Sequence, residues 1–266
     1  MEVSIAEVSS LKPHEETIPE VEANLMNQIL HSGMFKHPIL VDKDTNVILD
    51  GMHRHKVALR LGLKFIPVIY VKYQDPLIKI LRWWRASNIE DEDTAFNLIS
   101  SFGLKEVDMQ EFEKIRHFAS LIVLYNNRAF IDSEKRDSME SYKNVKILED
   151  ILMKNRKMVK YIREDTLQLV SISPSTFLFA GKIVSKEEVK SNAIIGKLFP
   201  HKSTCHIFPA RVYSVNLNLE LLRSNMNISI VDNIVTEKLL HKSVKYIPRP
   251  CIYDNEIKDE ACYEYQ

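Results

Sequence analysis

The chain is short of several things, and each shortage narrows what it does. It has no net charge: Lys+Arg and Asp+Glu balance at 36 each. No global field therefore draws it to nucleic acid, which counts against constitutive, non-specific DNA binding. Cysteine is scarce, with Cys205, Cys251 and Cys262 as the 3 in the chain. No CxxC spacing occurs, so neither a zinc site nor a disulfide framework is expected, and the reading is reduced thiols in a cytoplasmic protein. The opening MEVSIAEVSSLKPHEE is acidic and lacks the basic-then-apolar pattern of a signal peptide. Apolar runs stay well below the roughly 18 residues of a membrane span, so no membrane partner is expected. What remains is an ordinary globular composition, 45% hydrophobic and 27% charged over 266 residues, enough for one large or two small domains.

The first seventy residues punctuate clearly. Val3 to Val8 predicts a strand, and Val21, Leu25, Ile29 and Leu30 fall on one face of a helix that Gly33 and Pro38 end. Ile39–Val41 and Val47–Leu49 predict two short strands about a polar turn. A helix from Met52 to Leu61 and a buried strand at Phe65–Val71 complete a β-α-β-β-α-β unit. Beyond it, 117–131 predicts a hairpin about Asn126-Asn127. Glu134 to Glu164 predicts a charged helix, Leu167 to Ile172 a strand, and the last ten residues a loosely held end. The fold class expected is α+β, with one domain at 1–88 and a second α/β domain at 89–266.

One corner stands out. In ILDGMHRHKVALRL (48–61) an apolar strand runs through Asp50 and Gly51 straight into a helix. A helix N-terminus offers free N–H groups and a positive dipole end, so it binds anions. Gly51 admits a ligand close to the backbone, and Arg54 adds a bidentate grip on phosphate. Asp50 makes sense there if Mg²⁺ sits between carboxylate and phosphate. The plainer alternative is that Asp50 caps the helix and the histidines lie on its solvated face. His53 and His55 diverge on a helix, which disfavours a two-histidine metal site; one is expected to face phosphates and the other solvent.

Residues 37–71 resemble the N-terminal fold shared by ParB and sulfiredoxin, and more closely its free-serine kinase branch, where a strand precedes D-G-x-H-R and a helix. LKPHEE (11–16), HSGMFKHP (31–38), RWWR (82–85) and PHKSTCHIFP (200–209) resemble that branch's other motifs, in the same order. Sulfiredoxin would need cysteine where Met52 stands, and nucleotide-switch ParB proteins a glycine-glutamate-arginine-arginine pattern that DGMHRH lacks. Cys205 stands where archaeal-type sequences of the branch carry arginine.

The resemblance implies a kinase that transfers a phosphoryl group from ATP or ADP to the hydroxyl of free L-serine, with Mg²⁺. Its branch includes an archaeal ADP-dependent type and a bacterial ATP-dependent type tied to siderophore precursor supply. It implies an active site in the cleft between the two domains. Glu15 is then the general base, with Glu20 a second candidate acid and Asp50 the group for Mg²⁺ or the transferred phosphoryl. Gly51, Met52, His53 and Arg54 hold nucleotide phosphates. Ser32, Gly33, Trp83, Lys202, Ser203, Thr204 and His206 bind the amino acid, with Trp83 offering its face to the ammonium. Homoserine or threonine on the same machinery is a further option. The alternative function is a ParB-like DNA-binding regulator with a nucleotide or small-ligand switch, its best basic patch being KNRKMVKYIR (154–163).

Overall fold

The computed structural model describes residues 2–132, 134, 136–169, 172–253, 256–258 and 260–266. Two compact units form. The first comprises Met1–Lys79, Val189–His201 and His206–Gln266; the second comprises Ile80–Glu188 and Lys202–Cys205. The chain thus returns to its first unit after residue 188, an arrangement less simple than one division at 88/89.

In the first unit the expected order is present: β1 (Ser4–Glu7), α1 (Pro19–Ser32), β2 (Ile39–Asp42), β3 (Ile48–Asp50), α2 (Met52–Arg60) and β4 (Phe65–Val71). The sheet order is β1-β4-β2-β3. β2 runs parallel to β4, Ile39 opposite Val68, while β1 and β3 are antiparallel to their neighbours. Its core is aliphatic: Ile39, Val41, Val47, Ile48, Val57 and Val68 are all fully buried. Gly33 ends α1 with φ 66°, the left-handed cap that glycine adopts without strain. The buried face of α1 is not the expected one. Val21 and Leu30 are exposed, and Glu22 is buried beside Ile29. An acid displaces the apolar stripe because it has partners there: Thr17 Oγ1 donates to it at 2.6 Å and Arg60 at 3.0 Å.

The C-terminal part of this unit adds a three-stranded sheet. Ala210–Tyr213 pairs in parallel with Ala261–Tyr265, which pairs antiparallel with Val244–Ile247. The final residues are therefore ladder-bonded rather than loose. Cys251 and Cys262, both buried, are joined as a disulfide, contrary to the expectation of reduced thiols; Cys205 is free and buried. Sequence spacing gave no sign of the pair, whose members are 11 residues apart. Asp232, on the helix Ile228–Leu240, accepts a hydrogen bond from Ile5 N at 2.8 Å and so occupies the free edge of β1.

The second unit is built on a six-stranded antiparallel sheet, in the order Lys160–Arg163, Trp83–Asn88, Thr176–Gly181, Leu121–Tyr125, Arg128–Ile131, Lys105–Val107. The Asn126-Asn127 hairpin forms, both residues at positive φ (49° and 59°). Asp91 and Asp108 cap the helices that follow them. The long charged helix is shorter than expected: it covers Ser138–Lys154, with Tyr142, Val145, Leu148 and Leu152 buried, and a strand replaces its end at Lys160–Arg163. KNRKMVKYIR is accordingly a helix end, a turn and a strand, not a recognition helix. Where a strand was expected at Leu167, a 3₁₀ helix covers Glu164–Leu169; residues 170 and 171 of that expectation lie outside the described residues. Trp83 and Trp84 fall on opposite faces of one strand, as adjacent strand residues must. Trp84 is fully buried in a core with Phe112, Ile122 and Leu178. The flanking Arg82 and Arg85 are buried against Glu164 and Glu149. No helix among the described residues is long and apolar enough to cross a membrane.

Candidate active site

The corner at Asp50 begins with an irregularity. Leu40 faces Asp50 while Val41 faces Ile48, so β3 carries one extra residue where it meets α2. A bulge of this kind turns the strand and re-aims the side chain after it. Gly51 follows at φ 101°, and a Cβ there would stand 2.3 Å from Ile39 Cγ2. Only glycine fits this turn. Gly51 is also the N-cap, with no side chain capping the first turn of α2, so the amides of Met52, His53 and Arg54 open a helix whose N-terminus is available to an anion.

Asp50 does not cap the helix; it binds two guanidiniums. Arg54 Nη2 donates to Asp50 Oδ2 at 2.5 Å, and Arg211 Nη1 lies 2.9 Å from the same oxygen. Arg54 Nη1 is held by Pro38 O at 2.5 Å. Arg211 in turn is fixed by Glu260, whose Oε1 accepts from Nε at 3.0 Å and lies 3.0 Å from Nη2. Burial alone would raise the Asp50 carboxyl, but Arg211 and then Arg54 hold it well below the usual carboxylate range. It is a permanent anion at any physiological pH.

The K-P-H-E turn is tied to the same strand. Ile48 N donates to Lys12 O at 2.9 Å, and Phe199 N and Glu16 N exchange bonds with His14 O and Phe199 O at 2.8 and 2.9 Å. The His14 ring is buried and makes a 2.6 Å bond from Nδ1 to Ile48 O. A carbonyl only accepts, so Nδ1 carries the proton. Burial pushes the His14 pKa down and keeps the ring neutral. Glu15 Oε1 lies 3.8 Å from His14 Nε2, its side chain mostly covered. His14 packs edge-on against His206 at 5.3 Å between centroids, and His206 Nε2 is 2.6 Å from the Tyr73 hydroxyl. Glu15, Asp50 and His206 therefore belong to one neighbourhood of the first unit: Asp50 influences His14, and His206 influences Asp50.

The two helices adjoin the corner at their starts. Ile18 N, preceding α1, donates to His53 Nε2 at 3.0 Å. Glu20 sits exposed in the first turn of α1. His55 does not face solvent: it is buried, and its Nε2–H donates to Val8 O at 3.0 Å. At the other end of α1, Ser32 joins Leu25, Ile29, Phe35, His37 and Arg54 in lining a pocket. His37 is held down to about 4 by burial, with Arg54 and Lys36 adding to the effect. Gly33 lies at the helix end with open space where a Cβ would be.

In the second unit, Lys202 takes a left-handed turn (φ 60°) and sets its ammonium 4.1 Å from the centroid of the Trp83 ring. One face of that ring therefore carries a cation of the chain. Trp83 Nε1–H donates to Thr204 O at 2.9 Å, and Ser203 and Thr204 are buried.

No protein-family model matches the chain. The ADP-dependent L-serine kinase of Thermococcus kodakarensis is 25% identical over 224 residues, covering 81% of this chain and 91% of its own length. An ATP-dependent L-serine kinase of Staphylothermus marinus is 26% identical over 236 residues, covering 84% and 92%. The chain is thus similar to L-serine kinases over more than four fifths of its length. A free serine kinase solved in complex with AMP shares the fold, with a TM-score of 0.68 at 23% identity over 83% of this chain and 93% of that one. The two serine kinase relatives differ in the donor they are named for, ADP in one and ATP in the other.

Sequence reasoning missed Arg211, Glu260, His14 and Tyr73. His14 stood inside the K-P-H-E turn and was passed over for the acid beside it. Arg211 had one visible signal, a lone charge in the apolar run ARVY just beyond the distal motif. Glu260 had none.

Proposed function

We propose that this chain phosphorylates the hydroxyl of free L-serine with a nucleotide, ATP or ADP, giving O-phospho-L-serine. The observation that carries the reading is the corner itself: an uncapped helix N-terminus beside an ionised aspartate and two guanidiniums, with Glu15 next to His14, whose ring is bonded to the same strand. Phosphoryl transfer asks a protein for positioning, charge neutralisation and a group to take the nucleophile's proton. The α2 amides and Arg54 would hold donor phosphates. Glu15 would accept the serine proton, and Glu20 is the second acid near the helix starts. Ser32, Gly33, Trp83, Lys202, Ser203, Thr204 and His206 belong to the same proposal as substrate contacts. The pocket that Ser32 shares with Arg54 supports acceptor and phosphate lying side by side.

The corner fits a Mg²⁺ ion that arrives with the nucleotide. Among the described residues no group of three or more His, Cys, Asp or Glu could hold a metal alone. Asp50 offers one carboxylate, the usual protein share for Mg²⁺ on phosphates, and both guanidiniums engage its Oδ2. Bound there, Mg²⁺ would supply neutralisation of phosphate charge.

Glu15→Gln separates the base from the phosphate site. Turnover should fall by about 10²–10⁴-fold, the usual worth of a general base, while nucleotide affinity by calorimetry stays within about twofold. Activity within a few-fold of the parent would remove Glu15 from that role.

A further inference from the structure

Arg211 is bracketed by two carboxylates: Asp50 at 2.9 Å and Glu260 at 3.0 Å. The guanidinium also lies 5.1 Å from the Phe208 ring centroid. Four charges thus run in a row, Arg54–Asp50–Arg211–Glu260, and sum to zero. Glu260 is buried, and its Oε1 engages both the Nε and Nη2 edge of Arg211, leaving Nη1 for Asp50. The buried Glu260 holds Arg211 against Asp50, the residue just before the N-cap of α2. We propose that Arg211 contacts the donor's phosphate groups, and that Glu260 is the positioning residue that aims it.

The proposal rests on the kinase reading and adds to it a guanidinium from a strand 150 and more residues downstream of the corner. A phosphate oxygen can replace Asp50 Oδ2 as the acceptor for Nη1, because the fork geometry suits either anion. Glu260 keeps the other edge of the guanidinium fixed while that exchange happens. Arg54 is held by Pro38 O through Nη1 and by Asp50 through Nη2.

The test uses the full chain with Arg211→Ala, Arg211→Lys and Glu260→Gln, reading kcat, donor KM and the Kd for ADP and for inorganic pyrophosphate. Arg211→Ala should lower kcat/KM by about 10²-fold or more, and Arg211→Lys should recover part of it, since a point charge lacks the fork. Glu260→Gln should lower kcat by about tenfold while donor KM stays level or falls. That split follows because the variant removes a negative charge but loses the aim. A merely structural role would shift the thermal midpoint and leave kcat and KM within twofold below it; that result overturns the proposal. Should Arg211→Ala not fold, Arg211→Lys and Glu260→Gln carry the same decision. A parent protein that makes no O-phosphoserine would sink the kinase reading, and the Kd measurement then decides alone. At least tenfold weaker pyrophosphate binding by Arg211→Ala sustains the phosphate contact; equal binding, or none by the parent, ends it.

Discussion

Asp50 sits between two guanidiniums, and the acid limb of stability should report it. Its folded pKa is depressed below the ordinary value of about 3.9. Its contribution is therefore full above that value and drains as pH falls toward the folded pKa, because the unfolded chain binds the proton first. Asp50→Asn should lower the thermal midpoint at pH 7, and the gap from the parent should shrink steadily below pH ~4. A gap that stays constant from pH 7 to 3 would show that Asp50 acts by shape, not charge. At this scale the sequence was legible for Asp50, Gly51 and Arg54, because their spacing carries chemistry on its own. His55 was not legible. Its burial depends on a carbonyl at Val8, and nothing local announces a partner 47 positions away.

The turn between β3 and α2 is where backbone and site meet. Gly51→Ala must meet both a positive φ and a Cβ placed 2.3 Å from Ile39 Cγ2. Strain and overpacking of this kind cost about 2–5 kcal/mol together. The variant should melt well below the parent, and nucleotide affinity should be lost with the geometry of the α2 N-terminus. A stable Gly51→Ala protein that still binds nucleotide would refute the view that the turn shapes the anion site. The elements of the first seventy residues could be read because period, Gly33, Pro38 and the Asp-Gly corner agree with one another. Two failures have local causes. α1 buries Glu22, whose partners Thr17 and Arg60 are invisible to periodicity. The strand Lys160–Arg163 hides in a charged run because it packs beside Trp83–Asn88 as the outer strand of its sheet, and its residues are only half-covered.

At the scale of the whole molecule, the chain leaves its first unit at Lys79 and returns from Val189, and this return brings Arg211 and Glu260 to Asp50. No local pattern encodes that, which is why Arg211 and Glu260 were not singled out from the sequence, whereas Asp50, Arg54 and His206 stood within motifs. The disulfide closes the segment that ends in the last strand, with the cysteines 11 residues apart. Cross-linking a loop of that size is worth about 3 kcal/mol through the unfolded state. Cys251→Ser should cost stability on that order, and denaturant unfolding of parent and variant measures it. Equal midpoints would mean that the bridge adds nothing.

Phosphoryl transfer to serine remains the claim on which the site's chemistry depends. Purified protein, L-serine and Mg²⁺, incubated with ATP in one arm and ADP in the other, can be followed by phosphorus NMR. O-phosphoserine should accumulate with one of the donors, and Glu15→Gln should produce it about 10²-fold or more slower. Nucleotide binding without product in either arm would contradict the account and leave the Asp50 corner as a nucleotide-binding switch.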